Sequence, residues 1–211
     1  MPIYKRNLIV LSVAIFFIAL FWNMISPFLA FYIETMENVT NVARWSSLAF
    51  AAHFVSSFFA QPFWGKLGDR TGRKPMLMRA GFGIPIIYFG LALSTKPWHL
   101  VGWRFANGIL TGFIASAITL IATNTPEGTA ARAISIAQTA NAAGTMVGPV
   151  LGGLVAHRLG YRFSLKMSGY VLLAIVIVVG LLVKEKKAVE APQPTTIKED
   201  LQVVFKNPVM P

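Results

Sequence analysis

The chain has 211 residues, 55% of them hydrophobic and only 13% charged, a balance outside that of soluble globular domains of this length. Its 19 Lys and Arg against 8 Asp and Glu give a formal charge of +11. The cations fall between apolar runs instead of on one basic patch, which argues against nucleic-acid binding. With no cysteine, a disulfide framework and a thiolate metal site are both excluded.

A membrane-crossing helix needs about 20 mainly apolar residues. Six segments qualify: 8–33, 45–64, 75–94, 99–122, 133–156 and 164–183. Helix is the expectation for each, because an open strand leaves its backbone unsatisfied in lipid. Lys5 and Arg6 precede the first run, as in a signal peptide. That run is too long for a signal sequence and no small-residue cleavage pattern follows, so it reads as an uncleaved first crossing. The joints are 34–44, 65–74, 95–98, 123–132 and 157–163.

Cations counted on alternate sides set the orientation. Lys5, Arg6, Lys66, Arg70, Arg73, Lys74, Arg79, Arg132, Lys184, Lys186 and Lys187 fall on one side; Arg44, Lys96, Arg158, Arg162 and Lys166 fall on the other. The richer side is expected to be cytoplasmic, with both termini inside a multi-pass cell-membrane protein. The outside cluster Arg158, Arg162 and Lys166 runs against that rule; snorkelling or lipid-headgroup contact are readings of it.

Residues 1–183 therefore form the bundle, and 184–211 read as a polar linker on the cytoplasmic side. Within the linker, 197–205 is a candidate amphipathic helix with Ile197, Leu201, Val204 and Phe205 on one face.

Between the second and third runs lies Gly65-Lys66-Leu67-Gly68-Asp69-Arg70-Thr71-Gly72-Arg73-Lys74. This stretch resembles the signature loop of the major facilitator superfamily, Gly-x-x-x-Asp-Arg-x-Gly-Arg-Lys, at every position. The resemblance implies half of a twelve-helix carrier, built from two six-helix bundles joined by a cytoplasmic linker. The chain stops where a seventh helix would begin. Either it is a truncated product, which is favoured, or the half pairs with a partner bundle.

The same resemblance implies that Gly65, Gly68, Asp69, Arg70, Gly72, Arg73 and Lys74 form a cytoplasmic gate. Asp69 and Arg73 would contact a helix of the missing C-terminal half there. The plainer alternative is an ordinary basic inside loop. Offset by 88 positions, Gly65, Asp69, Arg70, Gly72 and Lys74 fall on Gly153, His157, Arg158, Gly160 and Arg162. This fits a 3+3 inverted repeat, although coincidence among small and basic helix-end residues remains the alternative.

Arg104 stands five residues into the fourth run. A cation in or near hydrocarbon is costly and marks a functional hypothesis. Arg104-Phe105-Ala106-Asn107-Gly108 resembles the superfamily's fourth-helix arginine motif, which implies proton coupling; Asn107 departs from the commoner pattern. The alternative is an interfacial, snorkelling arginine. In the fifth run, Gly144, Gly148, Pro149, Gly152 and Gly153 resemble the antiporter motif of drug–proton exchangers. Four-residue glycine spacing is also what a plain packing seam needs.

Polar groups within the runs are expected to face a cavity or another helix. The candidates for substrate contact are Trp22, Asn23, Ser26, His53, Ser57, Gln61, Gln138 and Asn141, with Ser135 and Thr145 sharing the last face. Phe28, Tyr32, Phe54 and Phe58 are candidate aromatic walls. For each alone, helix–helix hydrogen bonding or core packing is the stronger expectation. No carboxylate lies well inside a run, so proton coupling would fall to Arg104, His53, Glu34, Asp69 or the absent half. A lone membrane histidine is also an ordinary packing residue.

Enzyme motifs, phosphate loops, a cofactor site and a metal-ligand cluster are not found. Asn38-Val39-Thr40 fits a glycosylation acceptor in an outside loop. The whole reads as the N-terminal six-helix half of a carrier resembling the multidrug efflux branch. It would work by alternating access, exporting small amphipathic or cationic compounds against protons. The rivals are a carrier of sugars or other metabolites and a non-transporting scaffold or subunit. The expected partners are lipid bilayer, small-molecule substrate, protons and the missing half, with no nucleic acid.

Overall fold

The computed structural model describes residues 2–36, 39–126 and 128–185. The expected amphipathic helix at 197–205, the remainder of the linker and Asn38 lie outside the described residues. All regular structure among the described residues is helical. The helices are α1 (Ile3–Ile25), α2 (Leu29–Glu34), α3 (Val42–Thr71), α4 (Arg73–Ala92), α5 (Pro97–Leu110), α6 (Phe113–Asn124), α7 (Ala130–Leu159) and α8 (Tyr161–Leu182).

These make six rods, because α1 and α2 join through a 3₁₀ turn at Ser26–Phe28, and α5 and α6 join across Thr111 and Gly112. Pro27 explains the first bend, since it offers no N–H to continue the ladder. Gly112 explains the second: it sits at φ +119, in the left-handed region. Four rods are long and apolar enough to cross a membrane: Ile3–Glu34, Arg73–Ala92, Pro97–Asn124 and Tyr161–Leu182. The other two, α3 and α7, are 30 residues each, about 45 Å at the helical rise, and carry more small and polar residues.

The structure corrects two expected loops. Residues 65–71 are helical, and only Gly72 leaves the helix before α4 begins. Likewise α7 runs through Leu159, and only Gly160 separates it from α8. A helix satisfies its own backbone, so it can continue past the apolar stretch, and Arg70, Arg158 and His157 in the last turns suit the negative end of the dipole. Each hinge needs a positive φ, +98 at Gly72 and +79 at Gly160, which side chains with a Cβ adopt only under strain.

Three rod pairs pack most extensively: α1 with α7, α3 with α5, and α4 with α8. The core lies along these seams, with Leu11, Ile15, Leu77, Leu100, Phe113 and Leu120 buried. Phe58, Phe59, Met146 and Leu181 point outward and are largely exposed. Such an apolar exterior suits lipid or another bundle and would be a liability in water.

Candidate functional site

A cavity of about 600 Å³ opens between α1, α3, α4, the α5–α6 break and α7. Trp22 and Asn23 reach it from α1; His53, Phe54, Gln61 and Trp64 from α3; Arg79 and Tyr88 from α4. Asn107 lines it from α5, residues 111–116 from the break, and Asn141 and Thr145 from α7. Its walls mix aromatic and polar side chains, two of them arginines, Arg73 and Arg79, and a few polar groups among apolar ones are usual in a small-molecule site.

Five of the expected substrate residues meet here: Trp22, Asn23, His53, Gln61 and Asn141. Ser26, Ser57 and Gln138 do not. Ser26 sits in the 3₁₀ turn. Ser57 is buried, and its Oγ donates to the Phe54 carbonyl of its own helix at 3.0 Å. Gln138 points outward and is exposed. Of the expected aromatic walls, Phe54 lines the cavity, whereas Tyr32 is buried and its hydroxyl donates to the Leu91 and Ser94 carbonyls at 3.1 and 3.2 Å. Phe58 is exposed. Asn107, Tyr88, Trp64 and Arg79 are cavity residues that sequence reasoning did not propose as such. A glycine in the middle of the fourth run was the available signal for the break.

Arg104 is 2% exposed, in the interior of the bundle. Its guanidinium lies 5.0 Å from the Trp22 ring and 5.6 Å from Phe50, within cation–π range. The His53 ring is 4.8 Å from Trp22. Trp22 and His53 line the cavity and Arg104 does not. Glu34 ends α2 and is exposed.

The α7 glycines seat the first rod. A Cβ on Gly144, Gly148 or Gly152 would come within 2.3, 2.6 and 2.2 Å of the Phe16, Leu20 and Met24 carbonyl oxygens. Those carbonyls are themselves four residues apart, so two helical ridges meet backbone to backbone. Gly153 lies outside the seam, with only Phe28 at an ordinary 3.5 Å. The amide of Asn23 bridges the same helices by donating to Thr145 Oγ1 at 3.3 Å.

At one end of the bundle the signature residues form a knot. Asp69 and Arg73 make an ion pair. Their exposure to solvent leaves it a small contribution to stability. The Glu185 carboxylate accepts from the backbone N–H of Arg73 at 2.7 Å and of Lys74 at 3.0 Å. Lys74 Nζ donates to the Gly180 carbonyl at 3.0 Å, at the C-terminal end of α8. The Asn7 side chain pairs with the Lys184 backbone through bonds of 2.6 and 3.2 Å. Gly68 lies beneath Met76 and Arg73, while Gly65 faces open space at the cavity mouth. Among the described residues no group of three His, Cys, Asp or Glu could hold a metal ion.

The family model of the Major Facilitator Superfamily matches residues 11–211. An uncharacterized MFS-type transporter, YuxJ of Bacillus subtilis, is 35% identical over 200 residues, which span 92% of this chain and 51% of that protein. Multidrug resistance protein MdtG of Serratia proteamaculans is 36% identical over 185 residues, 87% of this chain and 45% of that one. MdtG of Escherichia fergusonii is 35% identical over 212 residues, covering 97% and 51%. The chain thus spans about half the length of the curated relatives it matches. The crystal structure of the human organic anion transporter MFSD10 (TETRAN) superposes with a TM-score of 0.77, covering 96% of this chain and 54% of that one. At 16% identity that likeness speaks for the fold alone.

Proposed function

The chain belongs to the major facilitator superfamily, a family of membrane transporters and not of enzymes, and on that premise we propose that it forms the N-terminal half of a proton-coupled exporter of small amphipathic molecules. The carrying observation is the cavity itself, with aromatic and polar walls on the face enclosed by five of the six rods. The naming of relatives about 35% identical as multidrug resistance proteins supports the export direction.

In this reading a second six-helix bundle closes the cavity's open side, and the two bundles rock about it to give alternating access. Both termini and the Gly72 hinge face the cytoplasm, in the plasma or inner membrane. The Asp69–Arg73 pair and the Glu185 clamp form the cytoplasmic latch. Arg104 and His53, both beside Trp22, and Glu34 at the end of α2 are the proton-coupling candidates.

The bundle is an inverted 3+3 repeat. Moving along the chain by 88 residues carries α3 (42–71) onto α7 (130–159) and the hinge Gly72 onto Gly160. The pairing of rods supports the same symmetry. Exchanging each rod with the one three later turns the first–fifth contact into the fourth–second contact and returns the third–sixth contact to itself.

The test is efflux of fluorescent amphiphiles from cells making the full-length protein, with and without a proton uncoupler. Energy-dependent efflux that Asp69→Asn and Arg104→Ala both abolish at equal membrane levels is the expected result. Absence of efflux for every amphiphile from well-expressed protein would overturn the reading.

A further inference from the structure

The break in the fourth rod is asymmetric in how its backbone is satisfied. A helix interrupted at membrane depth exposes carbonyls on one side and amides on the other, and both need partners. The carbonyl side is served by the protein. Trp64 Nε1 donates to the Ile109 carbonyl at 2.7 Å, and Arg79 Nη2 donates to the Thr111 carbonyl at 3.1 Å. The Arg79 guanidinium is held there by stacking 3.6 Å over the Trp64 ring. The amide side is served only at Ser116, whose N–H donates to the Gly112 carbonyl at 3.0 Å; α6 has no side-chain cap, and residues 113–115 at its start line the cavity. The positive end of its dipole therefore opens onto the space where a substrate would sit.

One polar side chain waits one turn before that end: Asn107 is 7% exposed, lines the cavity and makes no hydrogen bond among the described residues. A buried polar side chain without a partner is uncommon and calls for one. Among the described lining residues the charged side chains are Arg79 and Arg73, the latter paired with Asp69, and none is a carboxylate.

We propose that the α5–α6 break is an anion-binding subsite, and that the transported molecule is an organic anion. Its carboxylate, sulfonate or phosphonate oxygen accepts from the first amides of α6, with the Asn107 amide as flanking partner and Arg79 supplying nearby positive charge. Its apolar body lies against Trp22 and Phe54. The assignment rests on the transport reading and narrows it, setting aside the cationic class that the sequence alone suggested.

The test uses purified full-length protein in lipid nanodiscs and three probes sharing one ring system: 1-naphthylacetate, 2-(1-naphthyl)ethanol and 1-naphthylethylammonium. Equilibrium dialysis is expected to rank the carboxylate ahead of the ammonium by about tenfold or more. Ala115→Asp places a carboxylate at the third position of α6, where an acid favours the helix, so folding is retained. It is expected to reverse the ranking, with the ammonium then bound more tightly. Asn107→Leu is expected to reduce carboxylate binding several-fold. Equal binding of carboxylate and ammonium, or a ranking that Ala115→Asp leaves in place, overturns the subsite. Counterflow of 2-(1-naphthyl)ethanol in proteoliposomes reads transport separately. Counterflow with no charge preference in binding sinks the subsite and leaves the transporter. Charge-selective, Asp-sensitive binding without counterflow of any probe supports the subsite and sinks the transporter.

Discussion

The carboxylate of Glu185 accepts a hydrogen bond from the backbone N–H of Arg73 at 2.7 Å, across 112 residues of chain. A residue just past the last helix thereby caps the first turn of α4, where no side chain from α4's own N-cap position does so. The bond also holds the turn at Gly72 against the end of α8. Glu185→Ala is expected to lower stability by about 1 kcal/mol, the usual cost of a lost cap. Thermal unfolding in detergent measures it. A variant as stable as the parent would mean that water replaces the carboxylate without cost.

The two hinge glycines differ in a way that separates strain from crowding. Both have positive φ, but a Cβ on Gly72 would also meet the Glu185 carboxylate at 3.0 Å, whereas Gly160 has nothing within 4 Å. Gly160→Ala is expected to cost about 1–2 kcal/mol from conformation alone. Gly72→Ala should cost more, because it disturbs the cap as well. Parallel unfolding curves decide it; equal losses would show that the Glu185 contact is not felt.

The α1–α7 seam makes a graded prediction. Gly148→Ala and Gly152→Ala drive a methyl group into carbonyl oxygens of α1, and rigid backbone cannot yield as a side chain tip would. Each is expected to cost about 1–3 kcal/mol, the range for overpacking. Gly153→Ala, facing only Phe28 at 3.5 Å, should be nearly neutral. The fraction of monodisperse protein after heating ranks the three. If Gly153→Ala were the most damaging, the seam would be misplaced.

Trp64 and Arg79 should act as one unit on the helix break. Trp64→Phe removes the donor to the Ile109 carbonyl while keeping an aromatic ring near Arg79. Arg79→Gln removes the charge and weakens the bond to Thr111. Each is expected to cost about 1 kcal/mol. Their effects should be non-additive, since the two side chains stack and share the same break. Hydrogen exchange of the amides at 109–116 reports the loosening. Additive effects would show that the two act separately.

What the residues carry on their own is the count and position of the rods. Mean hydropathy along the chain and the lengths of the apolar runs place six of them, because lipid penalises an unsatisfied backbone wherever it lies. The two hinges were legible only as longer joints, 65–74 and 157–163; that each narrows to a single glycine, Gly72 and Gly160, was decided by the helices running on to meet it. The match of the 65–74 stretch to a family pattern was local.

The rest depended on how the rods pack. Ser57 and Gln61 share a helical face with His53, yet only Gln61 and His53 reach the cavity, while Ser57 is buried with its hydroxyl bonded to the Phe54 carbonyl of its own helix. From its place near the outer end of the run, Arg104 reads as a functional cation with an interfacial arginine as the alternative, and only the positions of α1 and α3, which bring Trp22 and Phe50 against it, enclose it. The linker boundary after residue 183 hid Glu185, whose partners lie 111 and 112 residues away in sequence. A side chain's neighbours along a helix follow from its own sequence; which face turns to the cavity is set by the neighbouring helices, and that information is spread across the whole bundle.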